Sequence, residues 1–226
     1  MLLTIPALLS PDEVREARAM LESVAWQDGK ATAGHRAAGV KSNLQLPLDS
    51  PEGKKLGDLI IDRLSRHPQF IAATLPLRIL PPRFNRYEGG GTYGTHVDNA
   101  IFPIPGTALR VRTDISSTLF LSAPDSYEGG ELVVEDLYGP QRVKLAAGDM
   151  VVYPGSSRHR VEPVTRGVRL AAFFWTQSLV RSDAQRRTLY ELDCAIQDLT
   201  ADHPQHGAID ALTNVYHNLL RDWSET

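Results

Sequence analysis

Apolar positions along the chain change their spacing twice, and the two changes divide it into three sections. Near the N-terminus, Met1 to Ser10 reads as a short strand. Ser10-Pro11-Asp12-Glu13 then supplies a helix N-cap, a proline at the first helical position and an acid at the third. Val14, Ala17, Leu21 and Val24 follow at helical spacing. Ser50-Pro51 repeats the start signal ahead of a second stripe, Leu56, Leu59, Ile60 and Leu64, and Pro68 is expected to end that helix.

From about residue 75 to 180 the pattern shortens to β-prone runs divided by Gly, Pro and Asp clusters. The expected strands are Arg78–Tyr87, Thr95–Asn99, Ser117–Ser122, Glu131–Glu135, Arg142–Leu145, Asp149–Tyr153, His159–Pro163 and Arg169–Gln177. About eight strands at this spacing predict a sandwich or jelly roll. Helical spacing returns at Leu189, Leu192, Ile196 and Leu199, and again at Leu212, Val215, Tyr216, Leu219 and Trp223, with His203-Pro204 and Gly207 between the two stripes. These helices are expected to cap the core; a homodimer interface is the alternative. The division is a domain over 1–180, with its β core at about 75–180, and a C-terminal helical extension over 181–226.

Bulk properties remove several function classes. A net charge of −3 offers no electrostatic case for nucleic acid or a membrane surface. Apolar runs such as Leu170 to Trp175 are too short to span a bilayer. The N-terminus lacks the basic segment and cleavage site of a signal peptide. Cys194 is the single cysteine, which excludes an internal disulfide framework and suits a reducing cytoplasm, where ferrous iron persists.

Candidate chemistry centres on Tyr93-Gly94-Thr95-His96-Val97-Asp98. If this segment is a strand, His96 and Asp98 point the same way, roughly 7 Å apart along it. One more imidazole would complete two histidines and a carboxylate, the set associated with non-haem Fe(II) oxygenases. A His-x-Asp alone is better explained by a solvated strand face. His159, on a later predicted strand, can supply the second imidazole. His35 lies in a Gly/Ala-rich loop, and His67, His203, His206 and His217 lie in or beside predicted helices, where exposed polar roles account for them.

Arg169 falls ten residues after His159, and a hairpin would return it to the same cavity. A guanidinium there can grip a dicarboxylate through two parallel hydrogen bonds; a surface salt bridge is the plain alternative. Tyr87, ahead of Glu88-Gly-Gly-Gly91, can place a phenol near the co-substrate, or serve as a buried strand aromatic. Lys41–Leu46 and Ile101–Arg110 are further segments that can border a pocket or be ordinary scaffold and loop.

The segments 86–90 (RYEGG), 93–98 (YGTHVD), 127–132 (YEGGEL), 147–154 (AGDMVVYP) and 159–164 (HRVEPV) occur in the order found in the 2-oxoglutarate/Fe(II) dioxygenase superfamily. The chain resembles its prolyl-4-hydroxylase-like group, and in size and C-terminal helices it is similar to the bacterial PKHD-type hydroxylases, described as iron-uptake factors. The resemblance implies a double-stranded β-helix (jelly roll) with flanking helices. It implies Fe(II) on His96, Asp98 and His159, 2-oxoglutarate held by Arg169, and L-ascorbate as a reductant. The substrate, a small molecule or peptide, would be hydroxylated with release of succinate and CO2. Asp98 argues against halogenation, since similar halogenases carry a small residue there. Two other classes compete: a cupin-like metal-binding isomerase, which needs no arginine for a dicarboxylate, and a non-catalytic iron or 2-oxoglutarate sensor, which would release no succinate.

Overall fold

A computed structural model describes residues 1–32, 39–104, 107–136 and 139–225. His35 and residues 105–106 of the Ile101–Arg110 insert lie outside the described residues.

The N-terminal signals give β1 (Leu3–Ile5) and α1 (Pro11–Glu22). Ser10 Oγ accepts from the backbone N–H of Glu13, and the Glu13 carboxylate accepts from the Ser10 N–H, a reciprocal capping box. Helix α2 (Pro51–Ser65) starts at Ser50, whose Oγ accepts from the Gly53 N–H, without a reciprocal side-chain bond. Pro68 follows the end of α2 at Ser65, as expected, and also opens a third helix, α3 (Pro68–Thr74). A proline costs nothing at the first helical position, where its missing N–H has no partner to lose. His67 is that helix's N-cap, its Nδ1 accepting from the Phe70 N–H, so it is a half-buried cap and not an exposed polar residue.

Two antiparallel sheets form the β core. The larger has the order β1-β14-β10-β17-β6-β4-β2, ending on β2 (Gln27–Asp28), with β5 (Pro76–Ile79) also paired to β17; the smaller has the order β13-β12-β15-β7-β3, starting from β13 (Gly139–Val143). The strands that build the site are β3 (Lys41–Ser42), β4 (Leu44–Gln45), β6 (Arg83–Tyr87), β7 (Thr92–His96), β10 (Ile115–Phe120), β12 (Leu132–Asp136), β14 (Met150–Pro154), β15 (His159–Val161) and β17 (Arg169–Ser178). Two small ribbons stand beside them, β8 (Ile101–Pro103) with β9 (Arg110–Arg112), and β11 (Tyr127–Gly129) with β16 (Val164–Gly167). The jelly-roll class is borne out as this mainly β architecture, although the strands do not close into a barrel.

Three expected strands differ. Arg78–Tyr87 is two strands, because Pro81 and Pro82 cannot donate to the sheet; β5 (Pro76–Ile79) ends before them. The strand expected at Thr95–Asn99 begins at Thr92 and stops at His96, so Asp98 lies just beyond its end. Arg169 does not return by a hairpin from His159: β15 pairs with β12 and β7, whereas β17 pairs with β10, β5 and β6 in the opposite sheet.

The larger sheet packs one face against the helices and turns the other to a cavity, so several of its strands alternate apolar and polar residues. Leu170, Ala172 and Phe174 of β17 pack with Phe84, Leu119, Met150 and Val152, and with Val14, Leu21, Leu56, Ile60 and Leu64 of the helices. Each such side chain, fully buried, contributes about 1.5–3 kcal/mol. The alternate residues, Arg169 and Trp175 of β17, Ser116 and Thr118 of β10, and Arg83, Asn85 and Tyr87 of β6, line a cavity instead.

The C-terminal helices α4 (Asp183–Asp202) and α5 (Ala208–Trp223) pack against each other. Leu189 is fully buried with Val180 and Leu75, and Tyr216, Leu219, Leu220 and Trp223 cover that cluster. This packing accounts for them as a cap. Among the described residues, no helix is long and apolar enough to cross a membrane.

Candidate metal centre

His96 and His159 are direct cross-strand partners in the β7–β15 pair. Their rings lie 4.2 Å apart between centroids. The register slips just beyond this pair, and Asp98, two residues past the end of β7, reaches the same point. Its Oδ1 is 3.9 Å from His96 Nε2, and its Oδ2 is 3.8 Å from His159 Nε2. One donor atom from each of the three residues falls within 4.8 Å of the others. The structure therefore brings His96, Asp98 and His159 together, with Asp98 two residues past His96 and on the same side of the chain.

Their surroundings select the donor atoms. His96 Nδ1 lies 2.8 Å from the Gly94 carbonyl and His159 Nδ1 3.1 Å from the Ser157 carbonyl. A carbonyl only accepts, so both Nδ1 atoms carry the proton and both Nε2 lone pairs face inward. Burial, and then the neighbouring His159, push the His96 pKa down to about 4, so the ring is neutral and ready to donate. Tyr93 stacks on His96 at 3.6 Å and Tyr153 meets His159 edge-on at 5.1 Å, which fixes the ring planes. Asp98 Oδ2 accepts from Ser116 Oγ at 2.6 Å and from Trp175 Nε1 at 2.9 Å. With that oxygen doubly occupied, Oδ1 keeps its lone pairs for a metal.

Arg169 lies deeper in the cavity and is 1% exposed. Its Nε and Nη1 have no hydrogen-bond partner within the protein, and the Tyr127 hydroxyl lies beside the guanidinium. A buried cation with orphaned donors is costly unless a ligand pairs with it. Tyr87 is its register partner, with the guanidinium 5.3 Å from the Tyr87 ring centre and 5.2 Å from that of Phe120. Tyr87 is fully buried, and burial raises its pKa, so its phenol is a neutral hydrogen-bonding group. Gly130, at φ +68, lets the chain pass close by: a Cβ there would stand 3.1 Å from Arg169 Cδ and 2.8 Å from Val164 Cγ2. Two imidazoles, a carboxylate and a recessed guanidinium with unused donors fit a divalent metal and a dicarboxylate together.

The cavity is lined by residues of both sheets and opens to solvent at its mouth. Lys41, Asn43 and Gln45, from one of the two segments proposed to border a pocket, line it, as does Phe102 from the other. Sequence reasoning missed Ser116, Trp175 and Arg83. The available signal was alternation: Trp175 is six residues from Arg169 on one strand, and Arg83 four from Tyr87 on another, so each pair shares a face.

Residues 82–177 match the 2OG-Fe(II) oxygenase superfamily, and residues 183–225 match the PKHD-type hydroxylase C-terminal domain. A PKHD-type hydroxylase of Delftia acidovorans is 65% identical over 225 residues, covering 100% of both chains. Another, of Parvibaculum lavamentivorans, is 60% identical over 226 residues with the same coverage. Among solved structures, an oxidoreductase of the 2OG-Fe(II) oxygenase family from Burkholderia pseudomallei aligns with a TM-score of 0.58 at 18% identity, over 80% of this chain and 85% of that one, which is likeness of fold.

Proposed function

From the premise that this chain belongs to the PKHD-type hydroxylases of the 2OG-Fe(II) oxygenase superfamily, and is thereby a 2-oxoglutarate-dependent hydroxylase, we propose a division of labour within the cavity. His96 Nε2, His159 Nε2 and Asp98 Oδ1 hold Fe(II), Arg169 grips the distal carboxylate of 2-oxoglutarate, and Tyr87 borders that co-substrate. The observation that carries this reading is the pairing of a three-donor cluster with a fully buried arginine, two of whose nitrogens have no protein acceptor. Bound there, iron and 2-oxoglutarate supply the oxidising chemistry, in which 2-oxoglutarate is converted to succinate and CO2 and one oxygen atom of O2 enters a substrate C–H bond.

The chain's own residues bind, orient and shield. The Gly94 and Ser157 carbonyls hold the Nδ1 protons, so each imidazole presents Nε2. Ser116 and Trp175 hold Asp98 by one oxygen and leave the other to the metal. Phe120, Tyr87 and Tyr127 wall Arg169 from water, which strengthens its attraction for a carboxylate.

L-Ascorbate is the reductant expected to sustain turnover, the cytoplasm the expected location, and iron uptake the expected physiological setting; impaired growth of a deletion strain under iron limitation tests the last. The central test is succinate release by purified protein supplied with Fe(II), 2-oxoglutarate and ascorbate, with candidate substrates screened by mass spectrometry for a gain of one oxygen. Wild type releases succinate, and His96→Ala and Asp98→Ala lose it. Metal binding without succinate formation across the screen would favour a sensor, and undiminished turnover by either variant would overturn the ligand assignment.

A further inference from the structure

Within the cavity, Asp98 is the only carboxylate among the described lining residues, and it faces three cations, Lys41, Arg83 and Arg169. The oxygenase reading, on which the role assigned to Arg83 rests, balances most of these charges. A divalent metal offsets a dianionic co-substrate, and Arg169 offsets Asp98. Lys41 has Asp28 and Asp98 within electrostatic reach. Arg83 is different: no ion pair or hydrogen bond engages its side chain among the described residues. Its guanidinium lies 5.5 Å from the ring centres of both Phe102 and Trp175, and Phe102 and Trp175 are themselves 4.5 Å apart.

Position separates Arg83 from the co-substrate end. Arg83 and Tyr87 share the cavity face of β6 four residues apart, about 13 Å along the strand. Tyr87 is the register partner of Arg169, whereas Arg83 is the partner of Phe173. At the other side of Arg83 stands Trp175, whose indole N–H is bonded to Asp98. One ring therefore separates the uncompensated cation from the metal-ligating carboxylate. Aromatic walls exclude water from a guanidinium and raise its attraction for an anion.

We propose that the primary substrate of this enzyme is a carboxylic acid whose carboxylate pairs with Arg83, its body lying along Phe102 and Trp175 and its reacting C–H within a few bonds of the anchored group. Lys41, across the same cavity, adds attraction for the acid without contributing a second required contact. A neutral prolyl side chain in a peptide would leave the Arg83 charge unmatched and desolvated.

Matched acid and amide probes test this directly. Protein loaded with Mn(II) and 2-oxoglutarate is titrated with benzoate against benzamide and with N-acetylproline against its amide, read by tryptophan fluorescence and calorimetry. In wild type each acid binds more tightly than its amide, by roughly 10- to 100-fold for a charge-assisted pair. Arg83→Met keeps the stacked stem, removes the charge and brings the acid down to the affinity of the amide; Arg83→Lys recovers part of the difference. Equal binding of acid and amide by wild type, no acid binding at millimolar concentration, or an acid preference that survives in Arg83→Met overturns the proposal. The same titrations report 2-oxoglutarate affinity. Failure of wild type to bind 2-oxoglutarate refutes the oxygenase reading, whereas retained 2-oxoglutarate binding with no acid preference refutes the Arg83 subsite alone.

Discussion

Replacing Arg169 by methionine separates a binding role from a structural one, because the two roles predict opposite signs. The side chain is 1% exposed, between the Tyr87 and Phe120 rings, and two of its nitrogens lack acceptors. Methionine fills much of the volume of the stem and keeps contact with both rings, while the buried charge disappears. In the protein free of co-substrate, that change removes a desolvated cation with no ion-pair partner, so the melting temperature stays level or rises. With 2-oxoglutarate the effect reverses. Removing one member of a buried, bidentate charge pair costs about 3–5 kcal/mol, which at about 1.4 kcal/mol per decade raises the 2-oxoglutarate Kd roughly 100- to 4000-fold. Mn(II) affinity, set by His96, Asp98 and His159, stays near wild type. The assay is calorimetric titration of 2-oxoglutarate into Mn(II)-loaded protein, beside thermal melts of the free form. A Kd within a few-fold of wild type, or a melting temperature that drops sharply without ligand, would show that Arg169 is a structural residue and that the reasoning from its orphaned donors is wrong.

Neighbouring side chains give two further expected outcomes. Trp175→Phe and Ser116→Ala each remove one hydrogen bond from Asp98 Oδ2, and each is expected to weaken metal affinity about 10- to 100-fold, with 2-oxoglutarate affinity changed only as far as metal loading changes; equilibrium dialysis with Mn(II) checks this, and unaltered affinity in both variants refutes a positioning role. Burial, and then the nearby Arg83, bring the Lys41 pKa down to about 8, so acid binding by the loaded protein weakens as pH rises through that value, and Lys41→Met flattens the profile. The linkage sign for stability is opposite: the unfolded chain holds this proton up to about 10.4, so the fold gains stability as pH rises from about 8 towards that value, and a melting temperature that falls across this window in wild type relative to Lys41→Met refutes the assignment.

Local chemistry made much of the scaffold legible in the sequence. Capping signals at Ser10 and Ser50 act on the first turn of their own helices, and the stripes through Val14, Ala17 and Leu21 or Leu56, Ile60 and Leu64 need only a helical period. Short runs between turn residues marked most of the β core for the same reason, and the tripeptide at His96 to Asp98 marked one side of the metal centre. Local chemistry says less where a residue serves two roles. Proline both stops a helix and starts one: Pro68 follows the end of α2 as expected, and its second role, opening α3, is not legible from the residue alone.

Everything that depends on which strand lies beside which was settled only by tertiary structure. Pairing of β7 with β15 sets His96 against His159, sixty-three positions apart, and places Asp98, just past the strand end, beside both. Arg169 faces that cluster from the opposing sheet and not from a neighbouring hairpin strand. Ser116, Trp175 and Arg83 belong to the site only because alternate residues of β10, β17 and β6 turn into one cavity. Residue type and spacing can state that an imidazole, a carboxylate or a guanidinium is available. Sheet register decides which of them meet, since a slip of one residue would turn every one of those side chains to the other face.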